Sequence, residues 1–232
     1  MNWEALWTSV RLATVTSAVL LVIAVPLAYW LAFSKRRGRY MVEALVALPL
    51  VLPPTVLGFY VLIGLGPRTP VGAWYEQVVG HPLPFTFEGL VVASVIYSLP
   101  FAVQPIAGAF SAVDHKLLEA SWVLGVSKFR TFLRVIAPLS VRGLVTGVVM
   151  SFAHTVGEFG VVLMVGGDIE GVTRTVSIDI YDQVQALNYS SANRTALVLV
   201  VFSFVVLSGV YALNRSGGNL WEMRPTGSKR FS

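Results

Sequence analysis

The sequence predicts an all-α integral membrane protein, a polytopic bundle of about five transmembrane helices with its N-terminus outside. Three observations predict it. Of the 232 residues, 55% are hydrophobic and 12% charged, with a mean hydropathy of +0.71, more apolar surface than a water-soluble fold can hide. Runs at 12–33, 42–65, 89–110, 140–165 and 194–213 are each long enough to cross a hydrocarbon core of roughly 30 Å as helices, and in lipid an open strand would leave backbone groups unpaired. The third observation is the placement of basic residues. Lys35, Arg36, Arg37 and Arg39 follow the first run; Lys116, Lys128, Arg130, Arg134 and Arg142 sit in or beside the third connection; Arg215, Arg224, Lys229 and Arg230 follow the last. Arg11, Arg68, Arg174 and Arg194 fall on the other side, and thirteen against four in strict alternation orients the chain by the positive-inside rule.

The first run, 12–33, is a true span and not a cleaved signal: its apolar part is too long, and the basic cluster follows it. The second contains ALPLVLPPTVLGFYVLIGLG. Proline removes a backbone donor and clashes with the preceding turn, so this span is expected to kink or break around Pro53. Pro53, Pro54 and Gly58 are therefore candidates for a translocation path or gate, with Gly58 letting two copies of the chain approach; a kinked span that is merely packed is the other reading. The connection at 66–88 carries Pro67, Pro70, Gly72, Gly80, Pro82 and Pro84, with Trp74 and Tyr75 as interfacial anchors, and is expected to be ordered but irregular. Span three repeats the proline theme with Pro100 and Pro105.

In span four, Ser151, His154, Thr155 and Glu158 are offset by three, four and seven residues and would share one helix face. Ionisable groups inside a span are expensive and are candidates for a path or gate, although a buried pair tying helices together needs the same residues. His154 and Glu158 without a third ligand make no metal site. Between 166 and 193, Ile178, Tyr181 and Val184 give a partial apolar face, which predicts an amphipathic or re-entrant helix. Arg174 stands there among Asp168, Glu170, Asp179 and Asp182, either as an attractive charge for a docking partner or as a loop salt bridge. Residues 214–232, rich in Gly, Ser and basic side chains, read as a cytoplasmic tail.

No cysteine is present, which excludes disulfides, thiolate catalysis and cysteine-held metals. Neither a basic patch interleaved with aromatics nor a Walker-type GK[ST] loop occurs, so nucleic acid and bound nucleotide are not expected in this chain. No catalytic residue and no cofactor is assigned.

The connection at 111–139 is the most informative stretch. Asp114 can cap a helix from His115 to Leu124, Gly125 can end it in a left-handed backbone, and Ser127 can cap a second helix that Pro138 closes. Phe129, Phe132, Leu133 and Ile136 would form one apolar stripe of that second helix. An amphipathic helix on the inner leaflet would account for the Phe and Arg residues, but not for Glu119-Ala120-Ser121, then Gly125 after three residues, then Val135 after nine more, with Ala137-Pro138 beyond it. That register resembles the EAA loop of the membrane subunits of ABC importers, with Ser121, Val135 and Ala137 in place of Ala, Ile and Leu. The segments LPLVLPPTVLGFYVL (48–62) and GEFGVVLMVGGDIEGVTRTVSIDIYD (157–182) are similar to the permeases of molybdate importers, and more widely to those of sulfate and tungstate.

The resemblance implies a type I importer permease fold in a bacterial or archaeal inner membrane. It further implies a homodimer of this chain, two cytoplasmic ATPase subunits that hold the ATP and magnesium, and an extracytoplasmic binding protein that delivers a tetrahedral oxyanion. The ATPase-coupling residues would be Glu119, Ala120, Ser121, Gly125, Phe129 and Pro138. A secondary transporter or channel would need more proton-relay residues deep in the spans, and a membrane-embedded enzyme would need a fuller catalytic set than His154 with Glu158.

Overall fold

A computed structural model of the protein describes residues 2–215, and among these the regular structure is helical. Helix α1 (Trp3–Phe33) begins earlier than the apolar run, because Asn2 caps it through Oδ1 to the amides of Glu4 and Ala5 at 3.1 and 3.2 Å. Its added first turns meet a later helix: Ser9 Oγ accepts from the amide of Val176 at 2.8 Å.

The second predicted span is two helices, α2 (Arg39–Val51) and α3 (Pro54–Gly64), bent by 113°. Pro53 and Pro54 bring neither an amide donor nor room for a continuing turn, so the expected kink becomes a break. The 66–88 connection is more regular than expected. Helix α4 (Pro70–Val79) fills it, started by Thr69 Oγ1 accepting from Gly72 N at 3.1 Å and stopped by Gly80 at φ 88°.

Helix α5 (Phe87–Ser111) matches the third span and runs through both of its prolines. A helical hairpin follows: α6 (His115–Val123), then α7 (Lys128–Thr131), a π-helical turn (Phe132–Ile136) and α8 (Ala137–Leu139) in unbroken succession. Span four is also interrupted. Helix α9 (Val141–Gly157) ends at Glu158, and α10 (Gly160–Gly166) starts again after Phe159. The expected amphipathic helix is α11 (Val176–Gln185), and α12 (Tyr189–Arg215) is the last span. The predicted tail from residue 216 onward lies outside the described residues.

Among the described residues three helices, α1, α5 and α12, are long and apolar enough to cross a membrane alone, and the count reaches five if each of two bent pairs, α2 with α3 and the α7–α8 helix with α9, is one span. Helices α1, α5 and α9 pack on one another and hold the main core, which includes Leu20, Ala24, Val103, Ile106 and Phe110. A second cluster, with Leu57, Ala93, Val161 and Val165, joins α3 and α10 to α5. Helix α12 packs on α9 and α11 and leaves Val200, Phe204 and Tyr211 exposed.

Candidate functional site

The hairpin after α5 is built by local chemistry. Asp114 Oδ1 accepts from Lys116 N at 2.9 Å and starts α6. The helix stops in a Schellman arrangement: Gly125 at φ 75° sends its amide to Trp122 O at 2.9 Å, and Val126 N reaches Ser121 O at 3.0 Å. Nothing lies within 4 Å of where a Gly125 side chain would begin, so glycine is needed there for its backbone and not for space. Ser127 Oγ accepts from Arg130 N at 3.4 Å at the head of α7.

The predicted apolar stripe divides. Ile136 is buried, and Phe132 packs edge-on against Tyr29 and Phe110 at centroid distances of 5.6 and 5.8 Å, but Phe129 and Leu133 are exposed. The π-helical turn causes the split, because an extra residue in one turn rotates the faces before and after it. Pro138 does not close this helix. It lies in the first turn of α8, where its missing amide leaves the π turn to be closed by Ala137 N on Phe132 O, and the chain bends by 73° beyond Leu139. Glu119, Trp122, Lys128 and Thr131 line a cavity of about 240 Å³ against Tyr29 and Phe33 of α1. Val123, Leu124 and Phe129 are exposed around it, a convex apolar knob on the tip of the hairpin.

A second cavity, of about 550 Å³, forms where the two broken spans meet, lined by Pro54, Thr55, Tyr97, His154, Glu158 and Gly160 among others. Its floor depends on close approach: a side chain on Gly160 would start 2.6 Å from Pro54 Cβ. Thus Pro54, His154 and Glu158 come together as predicted path residues, though not through a shared helix face. Glu158 is already extended (φ −67°, ψ 137°), and its Oε1 accepts from Val161 N at 2.9 Å, in effect capping α10. Ser151 stays off the cavity, fully buried, with Oγ donating to Val148 O at 3.0 Å.

Gly58 has a close neighbour within its own chain. It is buried against α10 of the same chain, where a Cβ would lie 2.8 Å from Met164 Cβ and 3.1 Å from Val161 Cα. Its small size serves this intrachain crossing. Residues missed from the sequence are Tyr97 and Ser98 on α5 and Thr55 on α3. Ser98 Oγ bonds His154 Nδ1 at 2.9 Å, and the imidazole stacks on Phe101 at 3.8 Å between centroids. These residues follow no period of their own that marks them in the sequence.

Arg174 is engaged by acids. Its Nε and Nη2 fork onto Asp168 at 2.5 and 3.0 Å, with Glu170 at 3.4 Å and Asp182 at 3.5 Å. This is the salt-bridge arrangement that the sequence left open, and the guanidinium charge is spent inside the segment. The hydrogen bond from Arg174 holds the Asp168 carboxyl below its ordinary range, whereas desolvation and the neighbouring Asp168 push Asp182 up to about 6.

Residues 24–216 match the family described as binding-protein-dependent transport system inner membrane component. Over 207 residues the chain is 49% identical to the molybdenum transport system permease protein ModB of Azotobacter vinelandii, covering 89% of this chain and 92% of that one. It is 30% identical over 207 residues to the protein of the same name from Escherichia coli K12, covering 89% and 90%. Among solved structures, the fold matches a chain of a bacterial alginate ABC transporter in complex with its alginate pentasaccharide-bound periplasmic protein, with a TM-score of 0.72, 16% identity, and 92% and 78% of the two chains covered. It also matches the inward-facing MetNI methionine ABC transporter, with a TM-score of 0.69, 17% identity, and coverage of 91% and 94%. At those identities the likeness is one of fold.

Proposed function

We infer, for a chain that belongs to the family of inner membrane components of binding-protein-dependent transport systems, that it forms the translocation path for molybdate. It is a multi-pass permease subunit of an ABC importer and performs no covalent chemistry of its own; a separate partner subunit hydrolyses ATP. The cargo rests on the permeases it resembles over nine-tenths of its length, named for molybdenum transport. In this reading two copies of the chain meet around the path, and each receives an ATPase subunit on its α6–α8 hairpin. ATP and magnesium are held by that partner.

The observation that carries the reading is the hairpin itself. A rigid turn at Gly125 presents an apolar tip flanked by Glu119 and Lys128, a shape suited to a groove in a partner protein. ATP binding would close the ATPase pair, draw the two hairpins together and open the path outward, and hydrolysis would reset it. The binding protein would meet the opposite side, near α4 and α11. Single cysteines test that sidedness in a chain that has none: Gln77→Cys is labelled by an impermeant reagent from outside, and Lys128→Cys is not.

The function is tested by reconstituting the permease with its ATPase and binding protein in proteoliposomes and measuring ATP-dependent uptake of labelled molybdate, with sulfate as competitor. Molybdate uptake that needs all three components is the expected result. Uptake without ATP or without the binding protein would overturn the importer reading, and preferential uptake of sulfate would overturn the cargo.

A further inference from the structure

The hydrogen bonds behind the cavity wall run in one direction. Thr155 Oγ1 lies 2.8 Å from the Ser151 carbonyl, and a carbonyl only accepts, so the Thr155 hydroxyl gives its single proton there. Thr155 Oγ1 therefore accepts from Ser98 Oγ at 3.0 Å. Ser98, its own proton used, accepts from His154 Nδ1 at 2.9 Å. The chain of donors fixes the tautomer: Nδ1 carries hydrogen, and in the neutral ring Nε2 is a bare lone pair. Phe101 stacked on the ring holds its plane, and Nε2 makes no hydrogen bond among the described residues.

Glu158 lines the same cavity from the far side of the helix break. One carboxyl oxygen is taken by Val161 N, while Oε2 is buried without a partner in a residue only 5% exposed. One unused acceptor, His154 Nε2, thus stands at the cavity wall, and a second, on an acid, is buried just behind it. The other ionisable group on its wall is Tyr97 of α5, and α3 contributes Pro54 and Thr55, neither of which titrates near neutrality. Glu4 and Arg11 of α1, Glu88 of α5, Asp179 and Asp182 of α11 and Arg194 and Arg215 of α12, the charged groups of the other long helices against α9, line no part of it.

Two acceptors oppose an oxyanion, which is itself made of acceptors. A single proton reverses this. On Oε2 it removes the negative charge behind the wall, and on Nε2 it makes a cationic donor at the wall. Tyr97 and Thr55 then add hydroxyls to a set of donors that a tetrahedral oxyanion can accept from.

We propose that this cavity is a station for the travelling oxyanion within the permease, and that it admits the anion only when the Glu158–His154 pair carries a proton. The proposal rests on the importer reading above. The proton is taken from water as the anion enters and returned as it leaves, so no bond to the anion forms or breaks.

The test measures molybdate uptake per ATP hydrolysed in proteoliposomes across a range of pH, with the same ATPase and binding protein throughout so that their own pH responses cancel between permeases. In the parent protein the ratio falls as pH rises, approaching about tenfold per unit beyond the titration of the pair, as for loss of one proton. Glu158→Gln keeps an acceptor for Val161 N and carries no charge at any pH, so the fall of the ratio with pH disappears. Coincident profiles, or a fully assembled Glu158→Gln complex that moves no molybdate at any pH, would overturn the proposal. A second measurement does not depend on that variant: in Thr55→Cys, molybdate slows maleimide labelling at low pH and not at high pH. Equal labelling at both, with and without molybdate, also overturns it. A parent complex that hydrolyses ATP yet imports no molybdate defeats the cargo reading instead, and the Thr55→Cys result still decides whether the cavity holds the anion.

Discussion

The hydroxyl of Ser121 on α6 lies 2.8 Å from that of Thr131 on α7, a hydrogen bond between the two arms of the hairpin. Ser121 gives its own proton to Leu118 O at 2.9 Å, so Thr131 is the donor of the pair, and Thr131 is buried. Ser121 stands where the importer pattern has Ala, and here the departure is compensated by a partner ten residues on. Ser121→Ala should strand the Thr131 hydroxyl and cost about 1–3 kcal/mol. Adding Thr131→Val removes the stranded donor, so the double variant should lose less than the two single variants together. Thermal unfolding of the three variants in detergent checks it.

Gly125→Val and Glu119→Ala should leave the permease folded but weaken its hold on the ATPase. The space around Gly125 is open, so the whole penalty of a side chain there comes from the left-handed backbone, about 1 kcal/mol or more, and Val should be worse than Asn. Glu119 offers a charge-assisted contact that Ala cannot make. Co-purification of ATPase with tagged permease measures the loss; full recovery with both variants would remove the coupling role from this hairpin.

Gly58→Ala is expected to destabilise the permease itself by about 1–3 kcal/mol, since its Cβ would press on Met164 and on the backbone of α10. Met164→Gly in the same chain removes that Cβ, so the double variant should lose less than the two single variants together. Thermal unfolding of Gly58→Ala and Met164→Gly, alone and together, separates this intrachain packing from a role at a contact between copies, which Met164→Gly would not repair.

The acidic cluster around Arg174 gives opposing pH responses. Asp182 binds its proton more tightly in the folded state, up to about 6 from an ordinary 3.8, so its contribution to stability is full below 3.8 and lost as pH rises through about 6. Asp168, held below its ordinary value chiefly by its hydrogen bond from Arg174, contributes above that value and loses its contribution as pH falls through its folded one. Asp182→Asn should therefore gain on the parent protein in thermal midpoint as pH is raised from about 4 to 7. Arg174→Ala should lose most near neutrality, where both acids are ionised. Tryptophan fluorescence during heating at several pH values reads both.

What was legible in the sequence was what neighbouring residues decide. Asp114, Gly125 and Ser127 act within one turn of their own positions, and each does what its side chain or backbone dictates. The α4 helix had its signals too, in Thr69, Pro70 and Gly80, but the prolines and glycines crowded beside them read as irregular loop. The break after Gly157 carried no such sign. No proline interrupts span four, and the helix ends there because Glu158 serves the amide of Val161 while α10 settles against Pro54 and Gly58. The partner of Gly58 was equally hidden, since a small residue announces that something comes close without saying what. The division of the Phe129 to Ile136 stripe followed from a π turn that period counting assumes absent.

Pro54 seated on Gly160 also decides where this molecule can be wet. Each helix interruption strands carbonyls and amides at a cost of several kcal/mol apiece in hydrocarbon, and stacking one interruption on the other gathers those groups on a single flank. Helix α12, uninterrupted over 27 residues, bears an almost wholly exposed apolar surface. A bilayer therefore meets two different boundaries around one chain: a dry flank that acyl tails can coat, and a damp flank that must be kept from them by protein.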